Sequence, residues 1–86
     1  MPEISRFFGI IIRMFFNDHS PPHFHAEYQK YEAYFSIKTG EMIAGKFPKN
    51  QAKIVTVWAI LHKKELMDNW NALLSDKEFK KIDPLR

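Results

Sequence analysis

The sequence contains no cysteine and only three glycines among its 86 residues. Without cysteine the chain can form no disulfide, no thiolate zinc site and no cysteine nucleophile, and this composition fits a reducing cytoplasm. The three scattered glycines cannot build a P-loop or a dinucleotide-binding turn, and no Gly-x-Ser-x-Gly elbow occurs. These absences exclude several common nucleotide-binding and hydrolase chemistries.

Long apolar runs are missing as well, because Arg13 interrupts the longest one well short of a membrane span. Glu3 and Arg6 stand where a secretory signal would need a basic segment followed by unbroken apolar residues. The expected location is therefore the cytoplasm, with no membrane contact. The hydrophobic fraction of 45% and the aromatic fraction of 15% suit a single domain over residues 1–86.

The net charge of +3 is unevenly distributed along the chain. Residues 1–45 carry four lysines and arginines against five acidic residues, whereas residues 46–86 carry nine against five. Such a basic half indicates either a solvated helix with a lysine-rich outer face or a patch for phosphate or an acidic partner.

Alternating apolar residues predict an antiparallel meander of about five strands over residues 4–47. The predicted strands cover residues 4–7, 10–16, 23–28, 31–38 and 42–47. A two-residue turn at Gln29-Lys30 would fix the register of the central hairpin, with His25 opposite Tyr34. The following hairpin, closed by Thr39-Gly40, would place Lys38 opposite Glu41.

The apolar period becomes helical after Pro48, where Ile54, Trp58 and Leu61 recur at i, i+4 and i+7. We expect one long helix over about residues 49–75, straight or bent, packed on the apolar sheet face, in preference to two helices meeting near residues 62–64. Residues 76–86 are expected to form an extended tail along a sheet edge. The predicted fold class is therefore α+β.

The segment from residue 17 to 28, Asn-Asp-His-Ser-Pro-Pro-His-Phe-His-Ala-Glu-Tyr, contains three of the four histidines. Side chains alternate between the faces of a strand, so His23, His25 and Glu27 should share the face away from the helix. Glu27 would then face Glu32, and Arg13 on the preceding strand is the expected compensating cation.

Three interpretations of this histidine face remain open. Histidines two apart in a strand, with Cα atoms about 7 Å apart, could bind a divalent metal together with His19. The imidazoles could instead form hydrogen bonds that organise the loop. Acid–base catalysis, such as metal-independent RNA cleavage, is the third interpretation, and no cofactor is then expected. The candidate catalytic residues are His23, His25, Glu27, Arg13 and Tyr34.

His62 and Glu65 lie three residues apart in the helical region. We expect them to pair with each other, either buried or at a helix bend, because the sheet would separate the helix from the strand histidines. Trp58 and Trp70 are expected in the core.

Several segments together resemble the domain-of-unknown-function family 4160. They are Met-Pro-Glu-Ile-Ser-Arg-Phe at the start, the histidine segment, Thr-Gly-Glu at 39–41, Trp58 to His62, Glu65-Leu66, Asn69-Trp70 and the closing Lys-Lys-Ile-Asp-Pro-Leu. The resemblance covers nearly the whole chain. The family pattern also points to candidate binding residues without assigning them a role: Asn17, Asp18, His19, His62 and Glu65.

The resemblance implies a small bacterial protein without an established activity, often encoded beside a protein of domain-of-unknown-function family 2442. That pairing suggests a toxin–antitoxin-type component acting on RNA or the translation machinery through the face of His23, His25 and Glu27. One alternative is a non-catalytic module that binds the neighbouring gene product, and another is a divalent-metal enzyme. Homo-oligomerisation stays open.

Overall fold

The computed structural model of the chain describes residues 3–15, 19, 21–75 and 77–86. Five antiparallel strands come first and two helices follow, so the predicted α+β class is confirmed. The strands are β1 (Glu3–Phe7), β2 (Ile10–Arg13), β3 (His23–Tyr28), β4 (Tyr31–Ser36) and β5 (Met42–Lys46), and the helices are α1 (Lys49–Leu61) and α2 (Lys63–Leu74). Each strand pairs with the next in sequence, which leaves β1 and β5 at the edges of the sheet.

The first hairpin turns at Phe8 and Gly9, as the position of the glycine predicts. Their φ angles are 50° and 78°, so both residues have the positive φ that a type I′ turn requires. β2 ends where its ladder with β1 ends, at the pair of Glu3 and Arg13. This is short of the predicted end at residue 16, which lies outside the described residues.

The β3–β4 hairpin has the predicted register along its whole length. Tyr28 lies opposite Tyr31 and His25 lies opposite Tyr34. Gln29 adopts a φ of 53°, a conformation that glycine and asparagine tolerate better. The alternation of apolar residues on both strands therefore determined the pairing even though the turn residues are unfavourable.

The β4–β5 hairpin differs from the prediction, because Lys38 does not face Glu41. The Ser36 N–H donates to the Glu41 carbonyl at 2.8 Å, and the Gly40 N–H donates to the Ser36 carbonyl at 2.8 Å. Residues 37–41 thus connect the two strands, and Ile37 is buried in the core. The Ile37 N–H donates to the Pro22 carbonyl at 3.1 Å, beside the pair of His23 and Ser36.

The prediction of one long helix is wrong, because the chain forms two helices that meet at His62. This residue has φ −116° and ψ 25°, outside regular helical geometry. The hydrogen bonds nevertheless continue across the junction, from the His62 N–H to the Trp58 carbonyl and from the Leu66 N–H to the His62 carbonyl. Leu61, predicted on the apolar stripe, is 65% exposed. The junction separates two apolar stripes that are displaced around the helix axis, and both stripes reach the core.

The core lies between one face of the sheet and the two helices. It contains Phe24 and Phe35 from the sheet and Trp58 and Trp70 from the helices, so the predicted burial of both tryptophans is confirmed. Neither described helix is long and apolar enough to cross a membrane.

The C-terminal tail lies against the β1 edge of the sheet, as predicted. The Ile82 N–H donates to the Ile4 carbonyl at 3.0 Å, and the Ile82 side chain is buried. Asn69 on α2 holds the tail by binding both the N–H and the carbonyl of Lys80, and the Trp58 indole N–H donates to the Asp83 carbonyl at 2.8 Å. The chain therefore closes this edge itself.

Candidate functional site on the outer sheet face

The outer sheet face, defined as the side of the sheet away from the helices, carries the candidate catalytic residues predicted from the sequence. Arg13, His25 and Tyr34 are direct neighbours across β2, β3 and β4. Phe24 and Ala26 point to the other side, where they are fully buried in the core. The predicted alternation along β3 is confirmed, so His23, His25 and Glu27 share one face.

The His25 imidazole is enclosed between two aromatic rings. Its centroid lies 4.1 Å from that of Phe15 and 4.2 Å from that of Tyr34, and the residue is only 7% exposed. Close ring contacts of this kind contribute packing energy beyond the area that they bury. On the face opposite the core, His25 is therefore part of a second, smaller aromatic cluster.

His23 connects this cluster to the second helix. Its Nδ1 lies 2.8 Å from the Pro21 carbonyl oxygen, which can only accept, so Nδ1 carries the proton. The centroid of the His23 ring lies 5.5 Å from that of Tyr34 and 5.3 Å from that of Trp70, and His23 is 9% exposed. The expectation that the sheet separates the helices from these histidines is thus wrong for Trp70, which packs against His23.

The charged part of the face is organised as predicted. Nε of Arg13 donates to a carboxylate oxygen of Glu27 at 3.0 Å, and both side chains are partly buried. Glu32 lies opposite Glu27 on one side and opposite Lys46 on the other. Arg13 and Lys46 therefore flank the two facing carboxylates and offset their repulsion.

A second ion pair lies on the edge strand β1. Arg6 donates to Glu3 at 2.8 Å, and this hydrogen bond lowers the pKa of the Glu3 carboxyl below its usual value. Glu3 in turn raises the pKa of the Arg6 guanidinium. Glu3 also lies opposite Arg13, so Arg13 has an acidic cross-strand neighbour on β1 besides its partner Glu27 on β3.

His62 and Glu65 pair with each other at the junction of the helices, one of the two arrangements expected from the sequence. Nδ1 of His62 lies 2.7 Å from a Glu65 carboxylate oxygen, and the centroids of the His62 and Trp58 rings are 5.5 Å apart. His62 is the residue at which α1 ends and α2 begins. The pair therefore stabilises the helix junction.

Three candidate binding residues lie in the segment before β3. Asn17 and Asp18 lie outside the described residues, and His19 is exposed. Among the residues that the structure describes, no three His, Cys, Asp or Glu side chains are grouped so that they could hold a metal ion. A divalent metal at His19, His23 and His25, one of the three interpretations of the histidine face, stays a hypothesis that elemental analysis of untagged protein would test.

Sequence reasoning predicted Tyr34 opposite His25 but did not predict that rings would enclose the histidines. Phe15 lies two residues after Arg13, so the alternation of side chains along a strand predicts that both lie on the outer sheet face. Trp70 carried no such signal, because its contact with His23 joins residues of α2 and β3 that lie far apart in the sequence. Only tertiary structure could place that ring.

Comparison with known proteins identifies a family but not an activity. The model of the family described as Domain of unknown function (DUF4160) matches residues 9–71, which include the histidine segment and most of both helices. No curated protein and no solved structure matches the chain.

Proposed function

This chain belongs to the DUF4160 family, and we propose that it is a non-catalytic protein-binding module whose binding surface is the outer sheet face. The family description assigns no activity, so the proposal depends on the chemistry of that face. The product of the neighbouring gene, which the family resemblance implies, is the first partner to test.

The observation that carries the proposal is the contrast in exposure on this face. Tyr34 is 39% exposed, whereas His23 and His25 are almost completely covered by neighbouring rings. The group offered to solvent is thus an aromatic ring, close to the partly buried pair of Arg13 and Glu27. An exposed aromatic anchor beside charged groups is the usual composition of a protein interface.

In this proposal the histidines have a positioning role. His25 supports the Tyr34 ring from below, and His23 fixes the start of β3 through its hydrogen bond to the Pro21 carbonyl. A ring held in one orientation loses less conformational entropy on binding than a free one. The buried imidazoles therefore prepare the surface that the partner contacts.

A capture experiment tests the proposal. The tagged protein and the untagged neighbouring gene product are expressed together, and the complex is quantified by titration of the purified components. We expect Tyr34→Ala to weaken binding by at least about tenfold, as for a central aromatic anchor. Phe8→Ala is the matched control, since Phe8 is an exposed aromatic residue in the β1–β2 turn. Binding that is unchanged by Tyr34→Ala, or no complex at all, would contradict the proposal.

A second candidate is an RNA-directed toxin–antitoxin component, and the His23 hydrogen bond favours it. A carbonyl that holds the Nδ1 proton fixes the tautomer of an imidazole, as is common for acid–base histidines. Arg13 could stabilise a phosphate, although its pairing with Glu27 and the burial of His23 would have to change first. This candidate predicts RNA cleavage and growth arrest without the neighbouring protein, both removed by His23→Gln. Intact RNA and unchanged growth would contradict it.

A further inference from the structure

The two edges of the sheet differ in whether another segment of the chain covers them. At the β1 edge, the tail pairs with Ile4 and inserts Ile82 between the sheet and the helices. At the opposite edge, β5 pairs with β4, and all of its residues, from Met42 to Lys46, are exposed. Within the described ranges, no segment is paired with the outer side of β5. An open edge strand presents N–H and C=O groups that can pair with another chain.

A groove runs between β5 and α1. This β5 groove has a volume of about 640 Å³. Most of its lining is apolar, and the apolar side chains include Phe35, Met42, Phe47, Ala52 and Val57. Met42 and Val57 are each about half exposed. The groove therefore offers an apolar surface beside the open edge strand.

The charges around the β5 groove are mainly positive. Lys49 and Lys53, one turn apart on α1, line the groove, and Lys46 stands at the end of β5. Glu41 is the acidic residue of the lining. An occupant with carboxylates would gain attraction from the lysines, whereas a basic segment would be repelled.

We propose that β5 accepts an extended, acidic segment of a partner protein, which adds to the sheet as a sixth strand and places alternate apolar side chains in the β5 groove. This inference rests on the proposed protein-binding function and specifies the chemistry of the partner. Because strand side chains alternate, apolar residues at every second position enter the groove beneath α1. The residues between them extend the outer sheet face beside Lys46 on β5, where an acidic side chain is favoured.

The test uses a fluorescein-labelled peptide of alternating valine and glutamate, titrated with the full chain and followed by fluorescence anisotropy. We expect Lys49→Glu/Lys53→Glu to weaken binding several-fold, because the positive potential beside β5 that attracts the carboxylates of the peptide becomes negative. Lys63→Glu/Lys64→Glu is the matched control, since these exposed lysines at the start of α2 give the same change in net charge. Equal loss in both variants would show a general effect of net charge and overturn the proposal.

Backbone methylation separates strand addition from other modes of binding. An added strand pairs with β5 through alternate residues, so N-methyl groups at one set of alternate positions block pairing and those at the other set face solvent. We expect one methylated peptide to lose about tenfold in affinity and the other to bind like the parent. Equal affinities of the two methylated peptides would overturn the proposal.

Two outcomes separate this inference from the proposed function. A captured partner that binds Lys49→Glu/Lys53→Glu as well as the unmodified protein would overturn the inference alone. Absence of any captured partner, with the peptide results as expected, would contradict the proposed function while supporting β5 as an acceptor. Sedimentation of the free protein as a dimer with protected β5 amides would place a second copy on this edge and overturn the inference.

Discussion

His25 shows how a polar residue can be buried on the outer side of a two-layer domain. The strand period places its ring away from the core, yet Phe15 and Tyr34 close over it on both sides. His23 is covered in the same way with the help of Trp70. A pattern of histidines on a polar strand face therefore gives the direction of the side chains but not their exposure, which depends on neighbouring rings.

The ring contacts predict that His25 contributes to stability. His25→Ala should lower the free energy of unfolding by about 2 kcal/mol, because it leaves a cavity between two aromatic side chains. Urea denaturation followed by circular dichroism measures this change. Asn71→Ala, at an exposed position on α2, should stay within about 0.5 kcal/mol of the unmodified protein. Equal midpoints for His25→Ala and the unmodified protein would show that the rings do not depend on the imidazole.

At the scale of elements, the pairing of β5 with β4 is the part of the sheet that the sequence predicted least well. Its register with β4 shifts between Tyr34 and Phe35, and Gly45 has a φ of 92°. A Cβ at Gly45 would lie 2.5 Å from the Glu32 carbonyl oxygen and 2.7 Å from Cα of Ala33. The irregular pairing therefore depends on a residue without a side chain, and it shapes the edge that we propose as an acceptor.

Gly45→Ala should lower the free energy of unfolding by at least about 2 kcal/mol, since a positive φ and a backbone overlap act together. Gly9→Ala is the matched control: its φ is 78°, but the new Cβ would meet only the Tyr28 ring, at 3.3 Å. The loss there should be about 1 kcal/mol, from the backbone conformation alone. Thermal and urea denaturation compare the two variants. If both variants lost a similar amount of unfolding free energy, the backbone overlap of the new Cβ with β4 would not contribute to the loss at Gly45.

At the scale of the whole molecule, the tail connects the sheet and both helices. It pairs with β1 through Ile82, accepts the Trp58 indole N–H through Asp83, and is held to α2 by Asn69. These contacts join the first strand to the last residues of the chain. The same architecture is complete at the β1 edge and open at the β5 edge among the described residues.

Removal of residues 77–86 should therefore destabilise the whole domain. The loss of Ile82 burial and of the hydrogen bonds from Trp58 and Asn69 should lower the free energy of unfolding by about 3 kcal/mol. Tryptophan emission should move to longer wavelength as Trp58 becomes hydrated. Removal of Arg86 alone, an exposed residue, is the control. An unchanged urea midpoint in the truncated chain would show that the tail does not contribute to the core.

The sequence by itself determined the meander, the register of β3 with β4 and the pairing of Arg13 with Glu27, because these follow from a two-residue period and from neighbours across adjacent strands. Tertiary structure alone decided the helix junction at His62, the burial of the histidines and the open groove beside β5. These features depend on where residues distant in sequence come to rest. Local periodicity fixes the face on which a side chain lies, whereas packing between layers fixes what covers it.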